Sequence, residues 1–110
     1  MLKKSLIILI FLFSISCKKQ KNFDSVEWKS WTESEMHPNT RWQMSNDLVS
    51  RYDLKKYTKK GILGLIGEPN SKSNSEYRYF LGVTGDGINT GTLVIHFEND
   101  SVIEFEIIQG

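Results

Sequence analysis

The sequence predicts an α+β domain: two helices packed on a three-stranded antiparallel meander. Two observations carry this expectation. Residues 40–52 and 59–66 place apolar side chains at helical spacing. Residues 76–82, 92–98 and 101–108 alternate apolar with polar, as half-buried strands do. Helices first and strands after them are accommodated most simply by laying both helices over one face of the sheet.

The first helix begins at Thr40, where Thr40 and Gln43 have the spacing of a capping box. Trp42, Met44, Leu48, Val49 and Tyr52 then fall on one arc, with Gln43, Asn46, Asp47 and Ser50 opposite. Asp47 and Arg51 stand four apart, the spacing of a surface ion pair. The second helix has Thr58 as its N-cap and Ile62, Leu63, Leu65 and Ile66 as its buried stripe. Gly67 suits a positive φ after the last turn, and Pro69 prevents continuation. Gly61 and Gly64 each cost about 1 kcal/mol relative to Ala, so this helix depends on packing. Residues 69–75 read as a loop.

Tyr77, Tyr79 and Leu81 share one face of the first strand, and Leu93, Ile95 and Phe97 one face of the second. In the third, Ile103, Phe105 and Ile107 align, leaving Glu104 and Glu106 to water. A two-residue loop at Asn99-Asp100 would pair Phe97 with Val102 and turn both carboxylates inward. A slip of one residue swaps the faces, so a three-residue loop is expected, with Phe97 opposite Ile103 and His96 opposite Glu104.

The start of the chain carries an address. Lys3 and Lys4 precede an unbroken apolar run, Leu6 to Phe13, and then Ser14-Ile15-Ser16-Cys17. A charged start, a short apolar core and small residues before a cut describe a secretory signal. The run is far short of the roughly 20 residues that a membrane-spanning helix needs. Residues 1–16 are therefore read as a signal peptide. Residues 17–39 are a tether followed by an irregular segment, and residues 40–110 are the folded domain. The sole cysteine of the chain sits at the cleavage junction, which excludes an internal disulfide and a cysteine-based zinc site. In the irregular segment, Trp28 and Trp31 either pack back on the domain or form an aromatic contact for a partner.

A formal charge of +1, from 14 basic and 13 acidic residues, gives no basic face for nucleic acid. No catalytic constellation is present. His37 precedes a proline and His96 lies in a strand, so neither has a second histidine at metal-binding spacing. Gly82, Gly85, Gly87 and Gly91, with Asp86 and Asn89, lie between strands. A phosphate cradle would need a helix after them, so they read as a turn. Glu104 and Glu106 share a strand face as a glycosidase pair would, but belong to the wet side. The expectation is a protein that is not an enzyme and has no small-molecule cofactor and no metal.

Two sets of residues carry resemblances. Ser16-Cys17 resembles the end of a bacterial lipobox, which implies a lipidated Cys17. Acyl chains contribute about 0.8 kcal/mol per buried CH₂, so a triacylated, palmitate-bearing cysteine anchors firmly. Lys18 in place of Asp favours the outer membrane. Arg41-Trp42-Gln43-Met44-Ser45-Asn46-Asp47-Leu48 is followed by Gly61-Ile62-Leu63-Gly64-Leu65-Ile66-Gly67-Glu68-Pro69, Tyr79-Phe80-Leu81-Gly82 and Leu93-Val94-Ile95-His96-Phe97. Over residues 40–108 this pattern resembles the small outer-membrane lipoproteins of the SmpA/OmlA type, the BamE-like subunits of the β-barrel assembly machinery. The same helix–helix–sheet unit occurs in β-lactamase inhibitor proteins. The resemblance implies a periplasm-facing lipoprotein that acts through an envelope protein partner, as an accessory to outer-membrane protein assembly. The alternative is an inhibitor or binding module that caps an enzyme cleft.

Overall fold

The computed structural model describes residues 20–110. The signal segment, the expected lipidation site Cys17 and the first tether lysines lie outside the described residues. Among the described residues the fold is α+β, with helices on an antiparallel meander, and holds one more helix and one more strand than the sequence predicts. Helix α1 spans Ser25–Ser30, α2 spans Thr40–Arg51 and α3 spans Lys59–Ile66, with a 3-10 turn at Leu54–Lys56. Strands β1 (Ser71–Lys72), β2 (Glu76–Val83), β3 (Thr90–Glu98) and β4 (Ser101–Gln109) form one sheet in sequence order. Two-residue β1 carries no periodicity, which is why residues 69–75 read as loop. It is fixed by pairing with β2, Ser71 opposite Arg78 and Lys72 opposite Tyr77.

The fold begins before Thr40, where the sequence places the start of the compact domain. Asp24 accepts the backbone N–H of Glu27 and starts α1 as an N-cap. Trp28 is 0% exposed and Phe23 is buried beside it, both within the same core as Met44, Leu48, Ile62 and Leu93. Helix α1 also closes α3. Ser25 Oγ donates to the carbonyl of Leu65 at 2.7 Å and Lys29 Nζ to that of Gly64 at 2.7 Å. These last-turn carbonyls have no partner within their own helix, and a lysine there also suits the helix dipole.

Helix α3 has the predicted bounds, with Thr58 Oγ1 accepting the N–H of Gly61 and Gly67 at φ +78°. Ile62 and Ile66 are fully buried, with Leu63 and Leu65 packed against the core from its margin. Helix α2 starts one residue differently from the predicted capping box. Asn39 is its N-cap, and Gln43 Nε2 donates to Asn39 Oδ1 at 3.1 Å, so Thr40 is the first helical residue.

The β3–β4 hairpin differs from expectation in one register step. The loop is the two-residue one, and Phe97 pairs with Val102, not with Ile103. A bulge then follows: His96 pairs with Glu104, Ile95 with Phe105 and Leu93 with Ile107, leaving Ile103 as the extra residue. The bulge resolves the conflict that disfavoured the short loop. Val102 is buried, Glu104 and Glu106 still face water, and Ile103 is displaced to 50% exposure instead of joining the core. Asn99 takes the positive φ of +59° in the turn.

Candidate partner-docking surface

The sheet has two faces of different character. The inner one carries Tyr77, Tyr79, Leu81, Leu93, Ile95 and Phe97, all buried. The outer one is built in cross-strand rows. Phe80 pairs with Thr92 and Thr92 with Ile108, giving one row. Arg78, Val94 and Glu106 give the next, then Glu76, His96 and Glu104. In the last two rows Arg78 is ion-paired with Glu76, and His96 Nε2 lies 3.1 Å from Glu106 Oε2. His96 thus contacts its diagonal neighbour rather than Glu104, which it directly opposes. Among the described residues no group of three His, Cys, Asp or Glu side chains is placed to hold a metal ion.

The first row is the apolar part of this face. Trp31 stacks on Phe80, with ring centroids 6.1 Å apart and planes 23° from parallel. Its indole N–H donates to the carbonyl of His37 at 2.8 Å, which holds the ring in place. Ile108 ends the row at 40% exposure. It lies on β4, which is the last strand of the sheet. At its start β4 is covered by the segment before α3: Val102 N–H donates to the carbonyl of Tyr57, and Thr58 bridges Ser101. Beyond that point, among the described residues, no strand pairs with its outer side. An open edge beside an exposed Ile108 and the half-buried Phe80 and Trp31 is a template for a further strand.

The two tryptophans singled out in the sequence therefore separate. Trp28 belongs to the core and offers no surface to a partner. Trp31 sits half-buried on the outer face. Arg41 joins them. Its guanidinium carbon lies 5.3 Å from the Trp28 ring centroid and 5.4 Å from that of Trp31. Its Nε donates to the Trp28 carbonyl at 3.0 Å and its Nη1 to the Phe80 carbonyl at 3.3 Å. Arg41 is 8% exposed, and burial pushes its pKa down. Carbonyls and ring faces take the place of a carboxylate, so its work is to bind α1 and the following loop to β2.

The sequence reading missed the apolar row, although a signal for it exists. Tyr79-Phe80 and Ile107-Ile108 are apolar doublets at places where strict alternation would put a polar residue second. Such doublets mark strands that are apolar on both faces. Gly91 also differs from expectation: it lies within β3, opposite Gly82 at the end of the first long strand, and not in the turn. No family model, no curated protein and no solved structure matches this chain.

Proposed function

We propose that this chain is a lipid-anchored envelope protein that acts by protein–protein contact, docking a partner on the outer sheet face and the β4 edge. The observation that carries the reading is the row Trp31–Phe80–Thr92–Ile108, apolar at both ends, which finishes at an open strand edge. The signal segment and Cys17 supply the anchor. The resemblance over residues 40–108 supplies the finer reading, an accessory to outer-membrane protein assembly at the periplasmic side of the outer membrane. No catalytic role is needed for this function.

Crosslinking and recovery of the full-length protein from native envelopes tests it, with Cys17→Ala and Ile108→Lys as controls. A reproducible partner lost in both controls is the expected result, and recovery of barrel-assembly subunits would bear out the finer reading. Recovery of a single soluble hydrolase would replace it with the inhibitor reading. A partner retained by Ile108→Lys would remove the proposed surface.

A further inference from the structure

A cleft of about 710 Å³ opens between α2, the loop after β2 and the end of β4. It borders the docking surface at the end of β4 but shares none of Trp31, Phe80 and Ile108 with it, and its size is within the roughly 300–1,000 Å³ of small-molecule sites. Its lining has an unusual chemistry. Gln20, Asn39, Gln43, Asn46 and Gln109 bring five carboxamides to one cavity. Trp42 and Ile107 are its large apolar members, and among the described residues Asp86 is the one charged side chain in its lining.

This lining selects by exclusion. Among the described residues of the lining, an anion would meet a carboxylate and no cation. A cation would find a single charge, and one exposed ion pair contributes only about 0–1 kcal/mol. A purely apolar ligand would strip water from the carboxamides without replacing its hydrogen bonds. Each carboxamide offers both a donor and an acceptor from one planar group. The matching ligand is neutral and dense in groups that also donate and accept. A saccharide has that character, and its ring C–H groups suit an indole, whose π-face is electron-rich. A peptide shares the amide chemistry, but its side chains would call for more apolar lining than Trp42 and Ile107 supply.

The cleft is also held in shape. A Cβ at position 91 would stand 2.5 Å from Trp42 Cε3, so Gly91 lets the indole rest against the β3 backbone. Asp86 Oδ2 accepts from Gln109 Nε2 at 3.1 Å, and the Asp86 N–H donates to Thr84 Oγ1 at 3.3 Å. Gln43 is fixed on Asn39 from the other wall. Polar groups locked by their neighbours lose little freedom on binding. We propose that this cleft is a binding site for a neutral saccharide, recognised by its carboxamides and Asp86, with Trp42 as the ring-contacting side chain.

Calorimetric titration of the full-length protein in detergent micelles with N-acetylchitotetraose and with maltotetraose tests this. Saturable binding of at least one, with a dissociation constant of about 1 mM or tighter, is expected. Asp86→Ala and the exposed Asn46→Ala should each weaken it about tenfold or more, with melting unchanged. Vesicles of phosphatidylcholine with and without a galactosyl diacylglycerol distinguish the source. Binding only to the glycolipid vesicles assigns a lipid headgroup, and binding of the free oligomers assigns a glycan strand. Absence of binding in every arm overturns the proposal. So does binding that both variants leave intact, equal affinity for a sialylated oligosaccharide, or binding of a Gln/Ser-rich peptide alone.

Discussion

Three side chains show how single residues hold this small fold together. Trp28 is fully buried, yet its indole N–H meets no acceptor among the described residues. Its contribution is therefore area and the ring face it offers Arg41. Trp28→Ala is expected to cost about 3–5 kcal/mol in chemical denaturation. Trp28→Phe should cost much less, because no hydrogen bond is lost with the N–H. Asp47 does something different. Its Oδ2 accepts the backbone N–H of Phe23 at 2.6 Å and pairs with Arg51, which in turn donates to the Phe23 carbonyl at 3.2 Å. The Arg51 hydrogen bond first, then that from Phe23, holds the Asp47 carboxyl below its usual range. A depressed carboxyl stabilises the fold above its unfolded value near 3.9, and the benefit disappears as pH falls through the lower folded value. The difference in melting temperature between wild type and Asp47→Asn should therefore shrink on acidification below about pH 4. A constant difference down to acid pH would remove this role. Tyr79 has the opposite sense. Burial raises its pKa, and its hydroxyl donates to the Gly67 carbonyl at 2.7 Å. Stability should decline above about pH 10, where the unfolded phenol ionises, and Tyr79→Phe should flatten that decline.

At the scale of elements, the positions that matter most are where backbones meet. Gly82 sits in β2 at φ +94°, and a Cβ there would stand 2.2 Å from the Pro38 carbonyl oxygen. Gly82→Ala thus combines strain with overlap against backbone that has no flexible end to move. A loss above the 1–3 kcal/mol of simple strain is expected, with about 4–8 °C of melting temperature for each kcal/mol. The β4 bulge makes a paired prediction. Ile103→Thr should change stability by no more than about 0.5 kcal/mol, while Val102→Ala should cost about 1–3 kcal/mol. The reverse order would restore the three-residue loop. These elements also mark the limit of what the sequence discloses. Helix α3 was legible to the residue because Thr58, Gly67 and Pro69 each act through local chemistry. The long strands were legible because alternation is local. Helix α1 was not, since six residues with one buried side chain carry no period, and its stability comes from Trp28, Ser25 and Lys29 meeting distant partners. The bulge was hidden for a related reason: alternation constrains which face a residue takes but does not say where a strand spends an extra residue. Of the candidate surface, Trp31 was visible as a residue type, and its seat on Phe80 was visible only once the strands were paired.

For the whole molecule, the decisive feature is how early the fold takes hold of the chain. The Lys21 N–H donates to the Gln43 carbonyl at 2.9 Å, Lys21 Nζ pairs with Glu27 at 2.8 Å, and Phe23 is clasped by Asp47 and Arg51. On the lipoprotein reading, only the four steps from Cys17 to Lys21 separate the acylated residue from the body, at most about 14 Å of extended chain. So short a mooring limits how far the body can rise from the bilayer. The protein would stand on the bilayer as a bollard stands on a quay, sweeping little volume of its own, and partners that travel along the membrane would reach it most readily. Lengthening the mooring should therefore weaken capture, by diluting the body into space its partners do not occupy. A Gly-Ser insertion of a dozen residues between Lys19 and Gln20 is expected to lower crosslinking yield in envelopes while leaving melting unchanged. Undiminished yield would mean that its partners approach from the solvent side.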